Sequence, residues 1–488
     1  MSSANTQVTT NKQVTPTTVD VVIMAAGKGT RMKSQIPKVL QQLGGKALLG
    51  HVIKTAKDLG ARSCVVITGH QAEQVQSFVQ QQSHSIDLSC VLQMPQLGTG
   101  HAVQQAVPVL PDDGMTLILS GDVPLTQVHT LKALIALSAG QHMTLLTLKM
   151  VNPSGYGRVV RQASSGASAN KNMNSVLAIV EQKDATPEQL AIQEIYSGIM
   201  VLPTSLLKQC LAKLDNKNAQ SEYYLTDIVK FAVADGLTVL AHEIEDANQV
   251  AGVNSPMQLA QLERAYQMHQ AEILLEQGVR LRDPARFDLR GTLTCGQDVE
   301  IDVNCVFDGK VVLADGVKIG ANCVIANATI AAGAVIHPFT HIDGEKLGVE
   351  VGAGALIGPF ARLRPGAKLG KEVHIGNFVE VKNSTMADGA KANHLAYLGD
   401  AEVGERVNYG AGSITANYDG ANKHKTIIQA DVHIGSNCVL VAPVTIGAGG
   451  TVGGGSTITK DTPAGALSVA RGKQLSVANW SRPKKQAK

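Results

Sequence analysis

Aromatic side chains are scarce in this sequence. Phenylalanine, tyrosine and tryptophan make up 3% of its 488 residues, and Trp480 is the only tryptophan. Aromatic residues normally supply much of the buried area of a globular enzyme. Hydrophobic residues still account for 44% of the chain, and its 48 glycines are densest in the second half. The composition therefore predicts that part of the chain folds around a core of small side chains.

Cysteine pairs, long apolar runs and a charge excess are missing too. The seven cysteines form no CxxC pair or Cys/His cluster, which predicts reduced thiols in a cytoplasmic protein. No apolar run approaches the ~18 residues that span a bilayer, and residues 1–18 are polar, without the core of a signal peptide. The net charge of +3 gives no general attraction to nucleic acid or membranes, so we expect neither as a partner.

The first half of the chain alternates short apolar runs with helix-length segments. Predicted strands lie at 21–24, 64–68, 115–120 and 144–148, and predicted helices between them include 48–59 and 101–109. This alternation predicts a mostly parallel, Rossmann-like α/β sheet with helices on both faces. Such sheets bind ligands at the carboxyl ends of their strands.

A different pattern begins near residue 255. Ser255 reads as an N-cap, Pro256 as the first helical residue and Gln258 as the partner in a capping box. The Leu-, Ala- and Gln-rich stretch that follows ends at Gly278, so we predict a linker helix within 251–278.

Beyond this helix, aliphatic residues recur every six positions. The series contains Val306, Val312, Val324, Ile330, Ile336 and Ile342, then Val351, Ile357, Leu363, Leu369, Ile375 and Val381, and finally Ile434, Leu440, Ile446, Val452 and Ile458. A parallel β-helix explains this period, because each hexad is one short strand plus a turn with the aliphatic residue pointing inward. The polar insertion at 417–426 interrupts the repeat, and such insertions often mark the binding face.

A glycine-containing loop directly follows the first strand and reads Ala25-Ala26-Gly27-Lys28-Gly29-Thr30-Arg31-Met32. Its glycines allow backbone N–H groups to approach phosphate oxygens, and Arg31 and Lys38 add positive charge. A bare GxG would favour an ordinary βα turn. The whole string, continued by Pro37-Lys38, is far more specific.

This loop resembles the opening of the sugar-1-phosphate nucleotidyltransferases. The resemblance continues in Gln93, Leu97-Gly98-Thr99-Gly100-His101-Ala102, Ser120-Gly121-Asp122, Gly155-Tyr156-Gly157-Arg158, Ile179-Val180-Glu181 and Glu222-Tyr223-Tyr224-Leu225-Thr226-Asp227. Together with the hexapeptide half, it extends from about Val21 to Arg471 and points to the bifunctional uridylyltransferase/acetyltransferase family of UDP-N-acetylglucosamine synthesis.

The resemblance implies that the first domain transfers uridylyl from UTP to N-acetylglucosamine 1-phosphate with Mg²⁺ and releases pyrophosphate. Arg31 and Lys38 would stabilise the phosphates, and Asp122 and Asn254 would hold the metal. Gln93, Gly98 and Thr99 would read the uracil, while Gly157, Glu181 and Tyr196 would bind the sugar. The remaining nucleotide contacts implied are Met24, Ala25, Ala26, Gly27, Ser120 and Gly121. Tyr196 departs from the family, which usually has asparagine there.

For the β-helix, the resemblance implies acetyl transfer from acetyl-CoA to glucosamine 1-phosphate. His394 would be the general base and Glu380 would orient it. Without the resemblance, His394 would be an ordinary lone histidine. The other implied contacts with the sugar phosphate and acetyl-CoA are Arg364, Lys382, Tyr397, Asn408, Ala411, Asn417, Tyr418, Ser436, Gly454 and Arg471. Gly454 stands where the family has a small alanine.

The resemblance also implies left-handed winding of the β-helix and a homotrimer assembled through it, with each acetyl site shared between chains. The predicted organisation is a disordered polar tail at 1–18, a uridylyltransferase domain at 19–250, the linker helix at 251–278, the acetyltransferase β-helix at 279–475 and a basic tail at 476–488.

Three alternatives remain at this point. The first is a monofunctional nucleotidyltransferase whose β-helix serves only oligomerisation. His394, Tyr397, Asn417 and Arg471 argue against it, because a structural solenoid has no need for them. A regulatory scaffold and an acetyltransferase alone both conflict with the intact set Arg31, Lys38, Asp122 and Asn254.

Overall fold

The computed structural model describes residues 18–82, 86–162 and 175–483. The predicted polar tail, apart from Thr18, and the last five residues of the predicted basic tail lie outside these ranges. The chain divides between Tyr266 and Gln267 into two compact units. Within the described ranges, no helix is long and apolar enough to cross a bilayer.

The first unit is an α/β fold. Its strands are β1 Val19–Met24, β2 Gln42–Leu43, β3 Lys46–Ala47, β4 Ser63–Thr68, β5 Asp87–Leu92, β6 Met115–Ser120, β7 Met143–Lys149, β8 Arg158–Arg161, β9 Val176–Val180, β10 Glu194–Pro203 and β11 Val239–Ile244. Its helices are α1 Leu48–Leu59, α2 Ala72–Gln82, α3 Thr99–Ala106, α4 Val128–Ser138, α5 Pro187–Leu190, α6 Thr204–Leu211 and α7 Asp227–Ala234, followed by α8 Pro256–Glu276.

The main sheet of this unit has the order β11-β7-β10-β6-β1-β4-β5, with β8 and β9 attached at β10. Along the central path β10 runs antiparallel to its neighbours, and the other described pairs are parallel. In β1, Val22 packs into the hydrophobic cluster on one face, while Val21 and Ile23 pack into the cluster on the other. Both faces are therefore covered, as the sequence predicts for a mostly parallel sheet.

Helix boundaries follow local sequence signals. Helix α1 ends where predicted, because Gly60 takes the left-handed conformation with φ of 80° and its N–H caps the last turn. The helix predicted at 101–109 begins earlier and stops at Ala106, and a 3-10 turn covers Val107–Val109. Pro108 explains this difference, because it has no backbone N–H to continue the α-helical hydrogen-bond ladder, although Val107 before it keeps right-handed helical angles.

Helix α8 begins in the first unit and ends in the second. The Ser255 hydroxyl accepts a hydrogen bond from the Gln258 N–H at 3.3 Å, which confirms the predicted N-cap. The Gln258 side chain accepts the N–H of Asn254 at 2.9 Å, one residue before the expected capping-box partner. The start of the helix therefore fixes the backbone at Asn254.

The second unit is a parallel β-helix. Its strands are β12 Arg280–Leu281, β13 Phe287–Cys295, β14 Glu300–Ile301, β15 Cys305–Leu313, β16 Lys318–Ile319, β17 Val324–Ile330, β18 Val335–Ile336, β19 His341–Asp343, β20 Val349–Val351, β21 Leu356–Ile357, β22 Arg362–Leu363, β23 Lys368–Leu369, β24 His374–Asn377, β25 Glu380–Lys382, β26 Thr385–Met386, β27 Lys391–His394, β28 Tyr397–Gly399, β29 Ala401–Val403, β30 Asn408–Tyr409, β31 Ile414–Ala416, β32 Thr426–Ile428, β33 His433–Ile434, β34 Val439–Val441, β35 Val444–Ile446, β36 Thr451–Val452, β37 Thr457–Ile458 and β38 Leu467–Ser468.

The six-residue period sets the core of the β-helix. From Ile330 onward, every residue of the predicted aliphatic series is buried, with alanines such as Ala355 and Ala367 beside it. The prediction is wrong for Val306, Val312 and Val324, which are not buried. In those first coils the series is shifted by one residue, and Phe307, Leu313 and Ile325 point inward. Apolar residues occupy both sides of these strands, so the pattern alone does not distinguish the inner side.

Candidate active sites

A cavity of about 470 Å³ opens at the carboxyl ends of β1 and β6, which lie side by side with Met24 opposite Ser120. The glycine-containing loop forms one wall of the cavity. Residues that line it are Met24, Ala25, Ala26, Gly27, Lys28, Lys38, Val39, Gln93, Gln96, Gly98, Thr99, Ala102, Ser120, Asp122 and Glu222. Nearly all of the predicted nucleotide contacts therefore meet in one concave site.

Three polar side chains meet at one side of this cavity. The Lys38 ammonium lies 2.5 Å from a carboxylate oxygen of Asp122 and 3.2 Å from the amide oxygen of Asn254. Gly29 makes this approach possible, because a Cβ there would lie 2.7 Å from the Cβ of Lys38. Asp122 and Asn254, although 132 positions apart in the chain, thus direct oxygen atoms at one cation.

This arrangement fits the predicted magnesium site. Carboxylate and amide oxygens are hard ligands, and Mg²⁺ takes few protein ligands because water and phosphate complete its shell. The Lys38 ammonium shows that the two oxygens of Asp122 and Asn254 converge on positive charge. No cluster of three or more His, Cys, Asp or Glu side chains that could hold a metal occurs in the described ranges.

Gln93 lies at the far wall of the cavity and is almost fully buried. Its side-chain nitrogen donates to the Gly98 carbonyl at 2.9 Å, which fixes the orientation of the amide. Gly98 has φ of 112°, and a Cβ there would lie 2.6 Å from the Tyr223 carbonyl oxygen. Thr99 accepts the N–H of Leu225 at 3.0 Å, so both sides of this wall are anchored.

A second cavity of about 210 Å³ shares Met24, Thr99 and Ser120 with the first. Gly157, Glu181 and Tyr196 all line it, as predicted for the sugar site. Burial raises the pKa of the Glu181 carboxyl, while a hydrogen bond from Thr226 at 3.0 Å partly opposes that effect. The buried Tyr196 hydroxyl has no hydrogen-bond partner among the described residues.

Three predicted residues, Arg31, Gly121 and Asn254, line neither cavity, although Asn254 contacts Lys38, and the structure adds others. Arg31 lies on the 3-10 turn Thr30–Met32, is exposed, and does not line either cavity. Lys28, Gln96 and Glu222 line the nucleotide cavity, although sequence reasoning assigned them no role. Lys28 stands between the two loop glycines, and that position was the signal available in the sequence.

In the β-helix, the predicted acetyl-transfer residues lie on successive coils and are divided between two sheets. His394 and Asn408 are on strands of the 11-stranded sheet, and Lys382 and Tyr397 are on strands of the 16-stranded sheet. Glu380 on β25 is in register with Tyr397 on β28. Arg364 donates to the Glu380 carboxylate at 2.8 Å. Burial, followed by repulsion from Arg364 and Lys423, lowers the pKa of Lys382. Arg364, Lys382 and Lys423 therefore form a cationic group that suits a phosphate, and Lys423 was missed by the sequence analysis.

His394 lies at the end of β27 and is exposed. Its Nδ1 lies 3.1 Å from the amide oxygen of Asn377 on the preceding coil. Glu380, predicted from the family resemblance to orient this base, forms ion pairs with Arg364 and Arg362, and its orienting role stays a prediction. Charge explains these pairs, since Glu380 lies beside one guanidinium group on the neighbouring strand β22 and a second directly after that strand.

The polar insertion and the later coils hold the remaining predicted contacts. Asn417 is buried, and its side-chain nitrogen donates to Asp400 at 2.5 Å. Tyr418 is 62% exposed. Further along, Arg471 donates to the Gly454 carbonyl at 2.7 Å, and a Cβ at Gly454 would lie 3.4 Å from the Ser436 carbonyl oxygen. That distance is ordinary contact, so the site accepts either glycine or alanine. Asn408 and Ala411 lie on the coil after His394.

A nucleotide cavity at the strand ends of an α/β sheet, followed by a hexapeptide β-helix with its own polar cluster, defines a nucleotidyltransferase joined to a hexapeptide-repeat transferase. Family models agree: residues 21–186 match the MobA-like NTP transferase domain, and residues 348–383 match the bacterial transferase hexapeptide of six repeats. A solved structure of UDP-glucose pyrophosphorylase with UDP-glucose is 17% identical, with a TM-score of 0.42 over 51% of this chain and 98% of that one.

Full-length relatives identify the family. The chain is 73% identical to the bifunctional protein GlmU of Polaromonas naphthalenivorans strain CJ2, over 96% of this chain and 98% of that protein. It is 68% identical to the bifunctional protein GlmU of Paracidovorax citrulli strain AAC00-1, over 96% and 99%. The chain belongs to the bifunctional GlmU family, the uridylyltransferase and acetyltransferase enzymes of UDP-N-acetylglucosamine synthesis. A monofunctional nucleotidyltransferase is not favoured.

Proposed function

We propose that this chain acetylates glucosamine 1-phosphate on its β-helix and then joins the product to uridine monophosphate in its α/β unit, with each reaction carried by the residues named above. The observation that carries the proposal is the convergence of Asp122 and Asn254, from distant parts of the chain, on the Lys38 ammonium. A cation site beside a glycine-containing loop suits in-line attack of a sugar phosphate on the α-phosphorus of UTP.

In the uridylyl site, Asp122 and Asn254 would hold Mg²⁺, which neutralises phosphate charge when bound. Lys38 and Lys28 bring positive charge to the same cavity, and Gly27 leaves room for backbone N–H groups to approach phosphate oxygens. A P–O bond forms as the bond to the leaving pyrophosphate breaks. Gln93 faces the uracil, while Glu181 and Tyr196 line the sugar pocket.

In the acetyl site, His394 takes a proton from the substrate nitrogen as that nitrogen attacks the thioester carbonyl. Arg364 and Lys382 hold the sugar phosphate, and Lys423 adds a third cation. Tyr397, Asn408, Ala411, Asn417 and Tyr418 surround the reacting groups. Acetyl-CoA extends along the later coils towards Ser436, Gly454 and Arg471.

The protein acts in the cytoplasm as a homotrimer in this proposal. An exposed row of phenylalanines supports assembly through the β-helix: Phe339, Phe360 and Phe378 stack with ring centroids 5.0 and 5.5 Å apart, and each is about half exposed. Contiguous exposed apolar surface of this kind usually marks an interface. The free cysteine thiols suit a reducing compartment.

Reciprocal variants test the proposal. Asp122→Ala is expected to reduce uridylyl transfer by on the order of 10²-fold or more while acetyl transfer continues, because one of two metal ligands is lost. His394→Ala is expected to remove the 10²–10⁴-fold contribution of a general base from acetyl transfer alone. Separate assays of pyrophosphate release and coenzyme A release measure the two reactions. Loss of both activities in either variant contradicts the assignment of separate sites.

A further inference from the structure

We infer that Asn377 is a positioning residue for the acetyl-transfer base: its amide oxygen accepts the Nδ1–H of His394 and leaves Nε2 free to take the substrate proton. This inference rests on the proposed role of His394. It gives Asn377 the orienting part that family resemblance assigned to Glu380.

Backbone pairing brings the two side chains together. Strands β24 and β27 are parallel neighbours, and their register places Asn377 directly opposite His394. Successive coils of parallel strands lie ~4.8 Å apart, a spacing that side chains of this length bridge with one hydrogen bond. The observed separation of the His394 Nδ1 and the Asn377 Oδ1 is 3.1 Å. The contact therefore follows from the fold.

The chemistry of the contact selects a tautomer. An amide oxygen only accepts hydrogen bonds, so the ring nitrogen that faces it must carry the hydrogen. Nδ1 is then protonated in the neutral imidazole, and the lone pair lies on Nε2. A base at Nε2 needs this tautomer, since the alternative form would present an N–H to the substrate.

Among the described contacts, no other side chain near His394 takes the place of Asn377 as the hydrogen-bond acceptor for Nδ1. On the following coil the corresponding residues are Ala411 and Gly412, which have no polar side-chain atom to offer the ring. Glu380 is paired with Arg364 at 2.8 Å. The titratable groups on the paired and adjoining strands are His374, Glu380, Lys382, Lys391, Tyr397 and Tyr409. None of these side chains has a hydrogen bond to Nδ1 among the described contacts.

The proton balance is simple. The substrate amine nitrogen forms a bond to the thioester carbon, the carbon–sulfur bond breaks, and the nitrogen loses one proton to Nε2. The imidazolium then returns this proton to the thiolate of coenzyme A. The Nδ1–H stays hydrogen-bonded to Asn377 throughout, so Asn377 fixes orientation and tautomer without exchanging a proton.

Two substitutions in the full-length enzyme test the inference. Asn377→Ala is expected to lower kcat of acetyl transfer on the order of tenfold, part of what a general base contributes, with KM for both substrates unchanged. Asn377→Asp is expected to retain activity, because a carboxylate also accepts the Nδ1–H. Its negative charge stabilises the imidazolium, so the acid limb of the kcat/KM profile moves up by about one pH unit. Uridylyl transfer stays at the wild-type rate in both variants, and an unchanged thermal unfolding transition reports correct folding of the β-helix.

Asn322→Asp is the matched control. Asn322 lies on an earlier coil of the β-helix, and its amide oxygen accepts a hydrogen bond from the side chain of Asn304 instead of from a histidine, so the same charge change there leaves the acid limb in place. An acid limb that does not move in Asn377→Asp, or a kcat within twofold of wild type in Asn377→Ala, overturns the inference. Full acetyl transfer in His394→Ala would instead overturn the proposed function, so the two failures are distinguishable.

Discussion

In the α/β unit most of the predicted site residues line a cavity, whereas in the β-helix they lie on successive coils of a solenoid. Asp122 and Asn254 reach one point from loops that are far apart in sequence. Glu380 and Tyr397, by contrast, are neighbours because they are 17 residues, or one coil, apart on paired strands. The first site depends on convergence at strand ends, and the second depends on register.

The same contrast appears in how each unit uses glycine. Gly27 lines the nucleotide cavity, and a Cβ there would meet nothing within 4 Å. Gly376 lies on β24, and a Cβ there would lie 1.9 Å from the Asn393 carbonyl oxygen. The first glycine leaves room for a ligand, while the second leaves room for the next coil of the chain itself.

Alanine at these two positions gives the largest expected effects. Gly376→Ala is expected to destabilise the β-helix by about 3 kcal/mol, because the neighbouring backbone must move. A shift of about 1 Å in the strand that carries His394 lowers acetyl transfer on the order of 100-fold. Gly27→Ala is expected to leave the free energy of unfolding within about 0.5 kcal/mol of wild type. It raises KM for UTP about tenfold, equivalent to about 1.4 kcal/mol.

Thermal unfolding and the two separate activity assays measure both parts of this prediction. The contrast fails if Gly27→Ala lowers the unfolding temperature as much as Gly376→Ala, or if Gly376→Ala retains wild-type acetyl transfer. Each variant also serves as the other's control, because each is expected to leave the activity of the other unit intact.

The contrast also explains what the sequence could predict. The six-residue period placed Ile357, Leu363 and Ile375 correctly, since every coil repeats the same packing. In the first coils the prediction chose Val306 where Phe307 is buried, because apolar residues alternate with other apolar residues there. Family motifs brought most nucleotide-site residues to one cavity. They did not reveal which side chain His394 contacts, because hydrogen-bond partners on a solenoid depend on register across coils.

A variant of Lys423 tests whether this lysine acts with Arg364 and Lys382 in binding the substrate phosphate. Lys423→Met is expected to raise KM for glucosamine 1-phosphate about tenfold, since a charge-assisted hydrogen bond contributes about 1.5–3 kcal/mol. It is also expected to raise the pKa of Lys382, because repulsion from Lys423 is one of the effects that lower it, after burial and the charge of Arg364. The alkaline limb of acetyl transfer therefore moves to higher pH.

Lys425→Met is the matched control for this prediction. Lys425 lies in the same part of the chain, but its ammonium is paired with Glu402. The same charge is removed, so a general effect of net charge would appear in both variants. Equal changes in KM for Lys423→Met and Lys425→Met would contradict a specific phosphate contact.

The smallest expected effect is on the unfolding temperature, when one carboxylate from each site is replaced by an amide. Burial raises the pKa of Glu181 above 4.5, so folding stability falls as the pH rises past the unfolded value of 4.5, and the cost is complete above the folded pKa. Below about pH 4 it is protonated in both states and the cost vanishes. Glu181→Gln is therefore expected to raise the unfolding temperature at pH 7 to 8 and to leave it unchanged near pH 4, while weakening sugar binding.

Glu380→Gln supplies the opposite case, because Glu380 forms a partly exposed ion pair with Arg364 and Arg362. Exposed pairs contribute at most about 1 kcal/mol, so this variant is expected to lower the unfolding temperature slightly or not at all. If the two variants change the unfolding temperature at neutral pH in opposite directions, the enclosed α/β site holds its carboxylate at a cost to stability, whereas the β-helix site does not. A lower unfolding temperature for Glu181→Gln at pH 7 would show that its bond to Thr226 outweighs the cost of burying the charge.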